Sequence, residues 1–385
     1  MKMVQLSDVC DIVSGATPRT NNPAFWDGDI PWATPTDVSQ LRGRKYIETT
    51  ARSISIEGLR SCAATVLPAG SVLLSSRAPI GHVAINLKPM ATNQGFKSLV
   101  PRSDAVDASY LYHWLRANRK YLESLGNGAT FKEISKDVVS RIVIPLPPLS
   151  DQRRIADLLD RADTLRAKQG DFLGRLGYLT QSLFLDMFGD PRQPQSRYDM
   201  IPLSSLGDIE RGVSKHRPRN APELLGGPYP LIQTGDVARS GGYIERHEST
   251  YSEIGLAQSK LWPKGTLCIT IAANIAKTGI LEFDACFPDS VVGFTADPAT
   301  TEYVRVWFTF MQDHLERVAP VVAQKNINLA ILREFPIAKP PRPEVEKFAA
   351  AMRHVKSIRQ AATRYHQLST ELFESLQARA FRGEL

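Results

Sequence analysis

Two stretches of the chain repeat apolar positions every seven residues. From Ser150 or Asp151, either of which can cap a helix, to about Phe188 there is no proline. One series there is Ile155, Ala162, Gln169, Leu176 and Leu183. The other is Leu158, Leu165, Phe172 and Leu179, with Asp186 breaking it. The second stretch opens at PPRPEVEKF and carries Phe348, Val355, Ala362, Ser369 and Leu376, beside Ala351, Ile358, Tyr365 and Leu372. Each pattern predicts a long helix whose apolar stripe must be buried. Two such helices in one chain most simply bury their stripes on each other. The predicted seam is Ile155, Leu158, Leu165, Phe172, Leu176 and Leu179 against Phe348, Val355, Ile358, Tyr365, Leu372 and Leu376. Glycines 170, 174 and 177 weaken the first helix, by about 1 kcal/mol each relative to alanine. Elsewhere the pattern is different. Short β-branched runs such as GSVLLSS and RIVIPLPPL alternate with Gly, Pro, Asn and Ser turns, and a helical pattern lies near Ala108 to Leu125.

The chain also repeats itself. VQLSDVCDIVSG (4–15) matches IPLSSLGDIERG (201–212), sharing Leu6/Leu203, Ser7/Ser204, Asp11/Asp208, Ile12/Ile209 and Gly15/Gly212. Tyr110 and Trp114 correspond to Tyr303 and Trp307, and Pro147-Pro148 to Pro340-Pro341. A period this long is a duplicated domain pair and not a solenoid unit. The expected fold is mixed α/β (α+β). A first globular domain spans 1–148, a first long helix 149–189, a second domain 190–341 and a second long helix 342–385. An antiparallel helix pair would then carry the two domains.

Composition narrows the class. At 385 residues, 43% hydrophobic and 23% charged, the chain is globular and large enough for two or three domains. Its net charge of +7 fits a polyanionic partner but carries little weight alone. Asp8 and Asp11 stand where a signal peptide needs an apolar run, and no stretch approaches a membrane span. Cys10, Cys62, Cys268 and Cys286 are scattered, so free thiols in a reducing cytoplasm are expected. No phosphate-binding P-loop, dinucleotide fingerprint, HExxH or GxSxG motif occurs. These absences favour a binding function.

The polar loops differ between the halves at equivalent positions. SGATPRTNNP offers Thr17, Arg19, Thr20 and Asn21, whereas RGVSKHRPRN offers Ser214, Lys215, His216, Arg217 and Arg219. Further candidates in the first half are Arg77, Asn93, Gln94, Lys97, Thr130 and Lys132. Those in the second are Asn274, Lys277, Gln324, Lys325 and Asn326. Arg and Lys suit guanine edges and phosphates, Asn and Gln adenine edges, Ser and Thr either.

TNQGFKSLVP, NGATFKEISKDVVSRIVIPLPPLSDQRRIADLLDRAD and the two-fold order of domain and helix make the chain resemble specificity subunits of type I restriction–modification systems. The second half departs in carrying Glu344-Val345 where the first has Asp151-Gln152. The resemblance implies two target recognition domains, each reading half of a split site on double-stranded DNA, and helices that set the gap between half-sites. It implies two methyltransferase subunits, which hold S-adenosylmethionine, and two restriction subunits as partners. This chain would then bind no cofactor or metal and catalyse nothing itself. Two other readings stay open here: a stand-alone DNA-modifying enzyme, and a coiled-coil scaffold without DNA contacts.

Overall fold

The computed structural model describes residues 1–77, 79–128, 132–193, 197–272, 275–318 and 328–385, the side chains of 313–318 excepted. Two compact units divide inside both long helices: 1–170 with 365–385, and 171–364.

In the first unit, a five-stranded sheet runs in the order Cys10–Ser14, Lys97–Pro101, Val72–Leu74, Val83–Asn86 and Tyr46–Ile47. Its neighbours are antiparallel except the last pair. A three-stranded sheet, Ser53–Ile54, Trp26–Ala33 and Ala91–Thr92, stands beside it, and Lys2–Gln5 pairs with Val143–Leu146. Apolar side chains from the large sheet meet the helix Ala108–Ala117. That helix starts where the Asp107 carboxylate accepts from the Ser109 and Tyr110 amides at 2.9 and 3.0 Å.

The second unit repeats this plan. Its large sheet runs Asp208–Arg211, Val291–Thr295, Leu267–Thr270, Thr278–Leu281 and Tyr243–Ile244. Asp297 caps the helix Pro298–Val318 as Asp107 caps its counterpart. The repeat reaches single bonds: the Tyr110 hydroxyl donates to the Pro145 carbonyl at 2.8 Å, and the Tyr303 hydroxyl to the Ala338 carbonyl at 2.9 Å. The smaller sheet gains a fourth strand, Leu261–Trp262.

The long helices are Leu149–Phe188 and Arg342–Arg382. Within each unit a segment of one packs on a segment of the other. In the first unit Ser369 bonds to Gln169, and the Arg166 guanidinium lies 4.8 Å from the Phe373 ring. In the second, Phe184 and Phe188 pack edge-on against Phe348, with centroids 5.5 and 5.3 Å apart. In the second unit Gly177 also lies beside Arg359, so in each unit rising numbers on one helix meet falling numbers on the other, and the segments are antiparallel.

The seam corrects half of the expected register. Ile155, Leu176, Phe348 and Val355 are buried, and Leu376 is half-buried. The other series points away from it: Leu165, Phe172, Leu179, Ile358, Tyr365 and Leu372 are 43–64% exposed, and Leu158 is half-buried. The buried series lies one residue later, at Leu159 in one helix and at Val345, Met352, Phe373 and Ala380 in the other. A three–four alternation and a four–three alternation both fit a heptad, and one residue turns the helix by roughly 100°. Among the described residues, no helix is long and apolar enough to cross a membrane, and no cluster of His, Cys, Asp or Glu could hold a metal.

Candidate nucleic-acid interface

The loop after Cys10–Ser14 is held by its backbone, which leaves its polar side chains outward. Gly15 lies so close to the Thr92 and Asn93 carbonyls that a Cβ would meet backbone oxygen at 2.0 Å, so only glycine fits there. The Ala16 amide donates to the Thr92 carbonyl at 2.9 Å. Two indole N–H groups fix the rest: Trp32 donates to the Ala16 carbonyl at 3.0 Å and Trp26 to the Arg19 carbonyl at 3.2 Å. The Arg52 guanidinium stacks 3.5 Å from the Trp26 ring and covers it.

Arg19, Thr20 and Asn21 are exposed on this pinned loop. The Thr17 hydroxyl bonds to Gln94, which joins the loop to the turn at 92–96. The Asn93 side-chain oxygen accepts from the Gly95 amide at 2.9 Å. The Ser76 amide donates to the Gly95 carbonyl at 2.7 Å, which brings Arg77 to the same edge. There Glu133 accepts from Arg77 at 2.9 Å and Lys97 at 3.2 Å. Burial raises the Glu133 pKa, but the two cations more than offset it and hold the carboxyl below the usual range. Lys132 is exposed beside it. One expectation is corrected: Lys97 is only 8% exposed and its ammonium faces inward to Glu133, because it lies on a strand face that joins the core. Thr130 lies outside the described residues.

The second half builds the equivalent edge from other residues. Gly212 packs on Phe287 and Pro288, with room for no side chain, and its amide donates to the Val291 carbonyl at 2.9 Å. The Gln258 side-chain oxygen accepts from the Lys215 amide at 2.7 Å and the His216 amide at 3.0 Å. Ser259 donates to the Val213 carbonyl at 2.8 Å. Lys215, Arg217 and Arg219 are exposed and His216 is half-buried. Arg217 and Arg219 converge on Asp289 at 3.4 and 2.5 Å, and Arg211 donates to the Asp289 backbone carbonyl. The Lys277 ammonium donates to Gln312 at 2.9 Å. Ser214 is a second correction: it is 7% exposed and its hydroxyl is turned into the protein, where loop and strand close on each other. Asn274, Gln324, Lys325 and Asn326 lie outside the described residues.

Sequence reasoning looked for cations and amides, so it missed what holds them. Trp26, Trp32 and Gln258 position the loops, and Glu133 and Asp289 anchor the arginines. The two tryptophans of WDGDIPW were a usable signal, since an indole N–H in a sheet needs an acceptor. The single carboxylates left none.

The fold is therefore a duplicated recognition domain, with each copy seated on a two-helix stem. The type I restriction modification DNA specificity domain matches residues 1–169 and again 196–368. The chain belongs to the family of type I restriction–modification specificity subunits. It is 35% identical over 188 residues to the MjaIX specificity subunit of Methanocaldococcus jannaschii, covering 47% of this chain and 43% of that one. It is 23% identical over 349 residues to the EcoKI specificity subunit of Escherichia coli K12, covering 80% and 73%. The match spans less than half the length of the first of these relatives. Among solved structures, it is similar to the type I S subunit from M. genitalium, at 12% identity and a TM-score of 0.63 over 99% of this chain and 96% of that one. At that identity the likeness shows the fold alone.

Proposed function

We propose that this chain is the DNA-reading subunit of a type I restriction–modification complex. Each recognition domain reads one part of a bipartite site on double-stranded DNA. One observation carries the reading: two copies of one fold present pinned loops at equivalent positions, with different base-reading side chains. Thr17, Arg19, Thr20, Asn21 and Gln94 serve the first half, and Lys215, Arg217 and Arg219 the second. A fixed backbone lowers the entropy lost when such side chains meet base edges. The chain itself performs no chemistry. Methyl transfer belongs to two methyltransferase subunits that hold S-adenosylmethionine, and cleavage to two restriction subunits.

Docking of those partners is supported by the stem. In the first unit Leu165, Tyr365, Leu368 and Leu372 are exposed, and in the second Phe172, Tyr178, Leu179, Leu185 and Ile358 are. Large apolar side chains at this density on a solvent face mark an interaction surface.

The test is binding of the purified chain, alone and with a methyltransferase subunit from the same organism, to a duplex carrying the genome's methylated bipartite sequence. The expected result is tighter binding to that duplex than to a scrambled one, and methyl transfer only with the second protein. Methyl transfer by the chain alone, or equal affinity for both duplexes, would sink the reading.

A further inference from the structure

Each half holds one carboxylate between two cations on its candidate interface. Glu133 lies between Arg77 and Lys97, and Asp289 between Arg217 and Arg219. Both carboxylates are partly shielded, at 35% and 28% side-chain exposure, while the three arginines are about half exposed, at 45–54%. The two carboxylates are not copies of each other. Val72 pairs with Leu99 as Leu267 pairs with Phe294. By that register Gln94, bonded to Thr17, stands where the second half has Asp289. The halves therefore reach the same arrangement from different chain positions.

A carboxylate and a phosphate oxygen compete for the same guanidinium face. An arginine already paired with Asp brings little net charge to DNA, so it releases fewer counterions on contact. That trims the sequence-independent part of binding and leaves base contacts a larger share. We infer that Glu133 and Asp289 are specificity-determining residues: they withhold interface cations from phosphates and so restrain binding to non-cognate DNA. The inference rests on the DNA-reading function proposed above.

The experiment titrates the full chain against the methylated-site duplex and a random-sequence duplex at several salt concentrations. Wild type is compared with Asp289→Asn, Glu133→Gln and Asp289→Glu, with thermal melting run alongside. Asp289→Asn is expected to steepen the slope of log affinity against log salt by about 0.9 for each guanidinium released, so by up to about 2. Random-duplex affinity should then rise by about tenfold at low salt, and discrimination should fall in proportion. Glu133→Gln frees one exposed arginine, so about half that slope change is expected. Asp289→Glu keeps the charge and should keep the wild-type slope, which separates charge loss from misfolding. Wild-type chain with no salt-dependent DNA binding would remove both the reading and the inference. Wild-type binding with unchanged slopes in Asp289→Asn and Glu133→Gln would overturn the inference alone. So would a loss confined to the methylated-site duplex, because Asp289 would then be touching a base.

Discussion

At one pair of equivalent helix positions, the two recognition domains meet their stems through charges of opposite sign. In the first unit the helix carries the acids. Asp160 pairs with Lys45 at 2.6 Å and takes a hydrogen bond from His113 at 2.7 Å, and Asp163 pairs with Arg116 at 2.7 Å and with Arg166 of its own helix at 2.5 Å. The corresponding helix positions in the second unit are Arg353 and Lys356. There the domain supplies the acids: Lys356 pairs with Glu282, and Gln360 donates to Glu245 at 2.7 Å. The apolar frame is unchanged. Ile155, Ala156 and Leu159 are buried in one unit as Phe348, Ala349 and Met352 are in the other. Packing depends on shape and volume at fixed positions, so a duplicated fold retains it. A half-buried charge needs only an opposite partner nearby, and either element can supply it.

The largest expected effect compares how deeply each unit embeds a charged pair. Arg305 and Glu302 are 6% and 7% exposed, with Tyr243 donating to the same Glu302 oxygen at 2.8 Å. Glu302→Ala strands the guanidinium away from water and should cost about 3–5 kcal/mol. Asp163 in the first unit is 17% exposed, and its partners Arg116 and Arg166 can turn to solvent. Asp163→Ala should cost less, about 1.5–3 kcal/mol. Urea denaturation read by hydrogen exchange in each unit measures both. Equal losses would mean that the two units bury their charged pairs equally deep.

The next comparison lies along one helix. Leu159 is fully buried and Leu165 is 49% exposed. Leu159→Ala should cost about 2–5 kcal/mol, and Leu165→Ala should stay within about 0.5 kcal/mol. The reverse order would restore the register expected from sequence. This pair also shows what the amino-acid pattern could reveal. Helix existence, antiparallel pairing and the duplication were legible, because heptads and repeated motifs span many residues. The choice between Leu158 and Leu159 was not. The helix is apolar on two faces, and apolar identity does not say which face packs within the chain. The candidate interface was half legible for a related reason. Arg19, Lys215 and their neighbours stand in Gly-bounded loops, which are exposed by rule. Lys97 and Ser214 read the same way, but they turn inward through tertiary contacts that no local pattern encodes. Glu133 and Asp289 are single residues whose role exists only once distant segments meet.

A smaller effect follows from weakening the first candidate loop. Trp26→Phe keeps an aromatic ring for Arg52 but removes the bond to the Arg19 carbonyl. The loop then becomes freer while its contacts survive. The proposed DNA affinity should fall by roughly fivefold to tenfold, the equivalent of about 1 kcal/mol for one hydrogen bond. Gln258→Leu should do the same in the second half, through the Lys215 and His216 amides. Titration of the methylated-site duplex checks both, and a loss in one half only would show that the loops are not equally preorganised.

The smallest effect is a dependence on pH that the two units should not share. His113 is fully buried on the Asp160 carboxylate, and Val306 holds the corresponding position in the second unit. Burial lowers the His113 pKa more than Asp160 raises it, with Lys45 and Arg116 lowering it further. The unfolded chain takes up a proton near pH 6.5, whereas the folded unit resists it until lower pH. Stability of the first unit therefore falls as pH drops below about 6.5, by at most about 1.4 kcal/mol per pH unit for this one group. Burial raises the Asp160 pKa, but His113 and Lys45 more than offset it and hold the carboxyl below its usual value. Its contribution thus stays intact through that window and fades only at more acid pH. His82 is also held low, by partial burial and then by Arg119, and adds a decline of the same sign in the same unit. Hydrogen exchange at about pH 7 and about pH 5.5 should show the first unit opening more readily in acid, and His113→Val should remove part of that difference. An equal acid response in the second unit, or no change in the variant, would show that the inverted junctions are electrostatically equivalent after all.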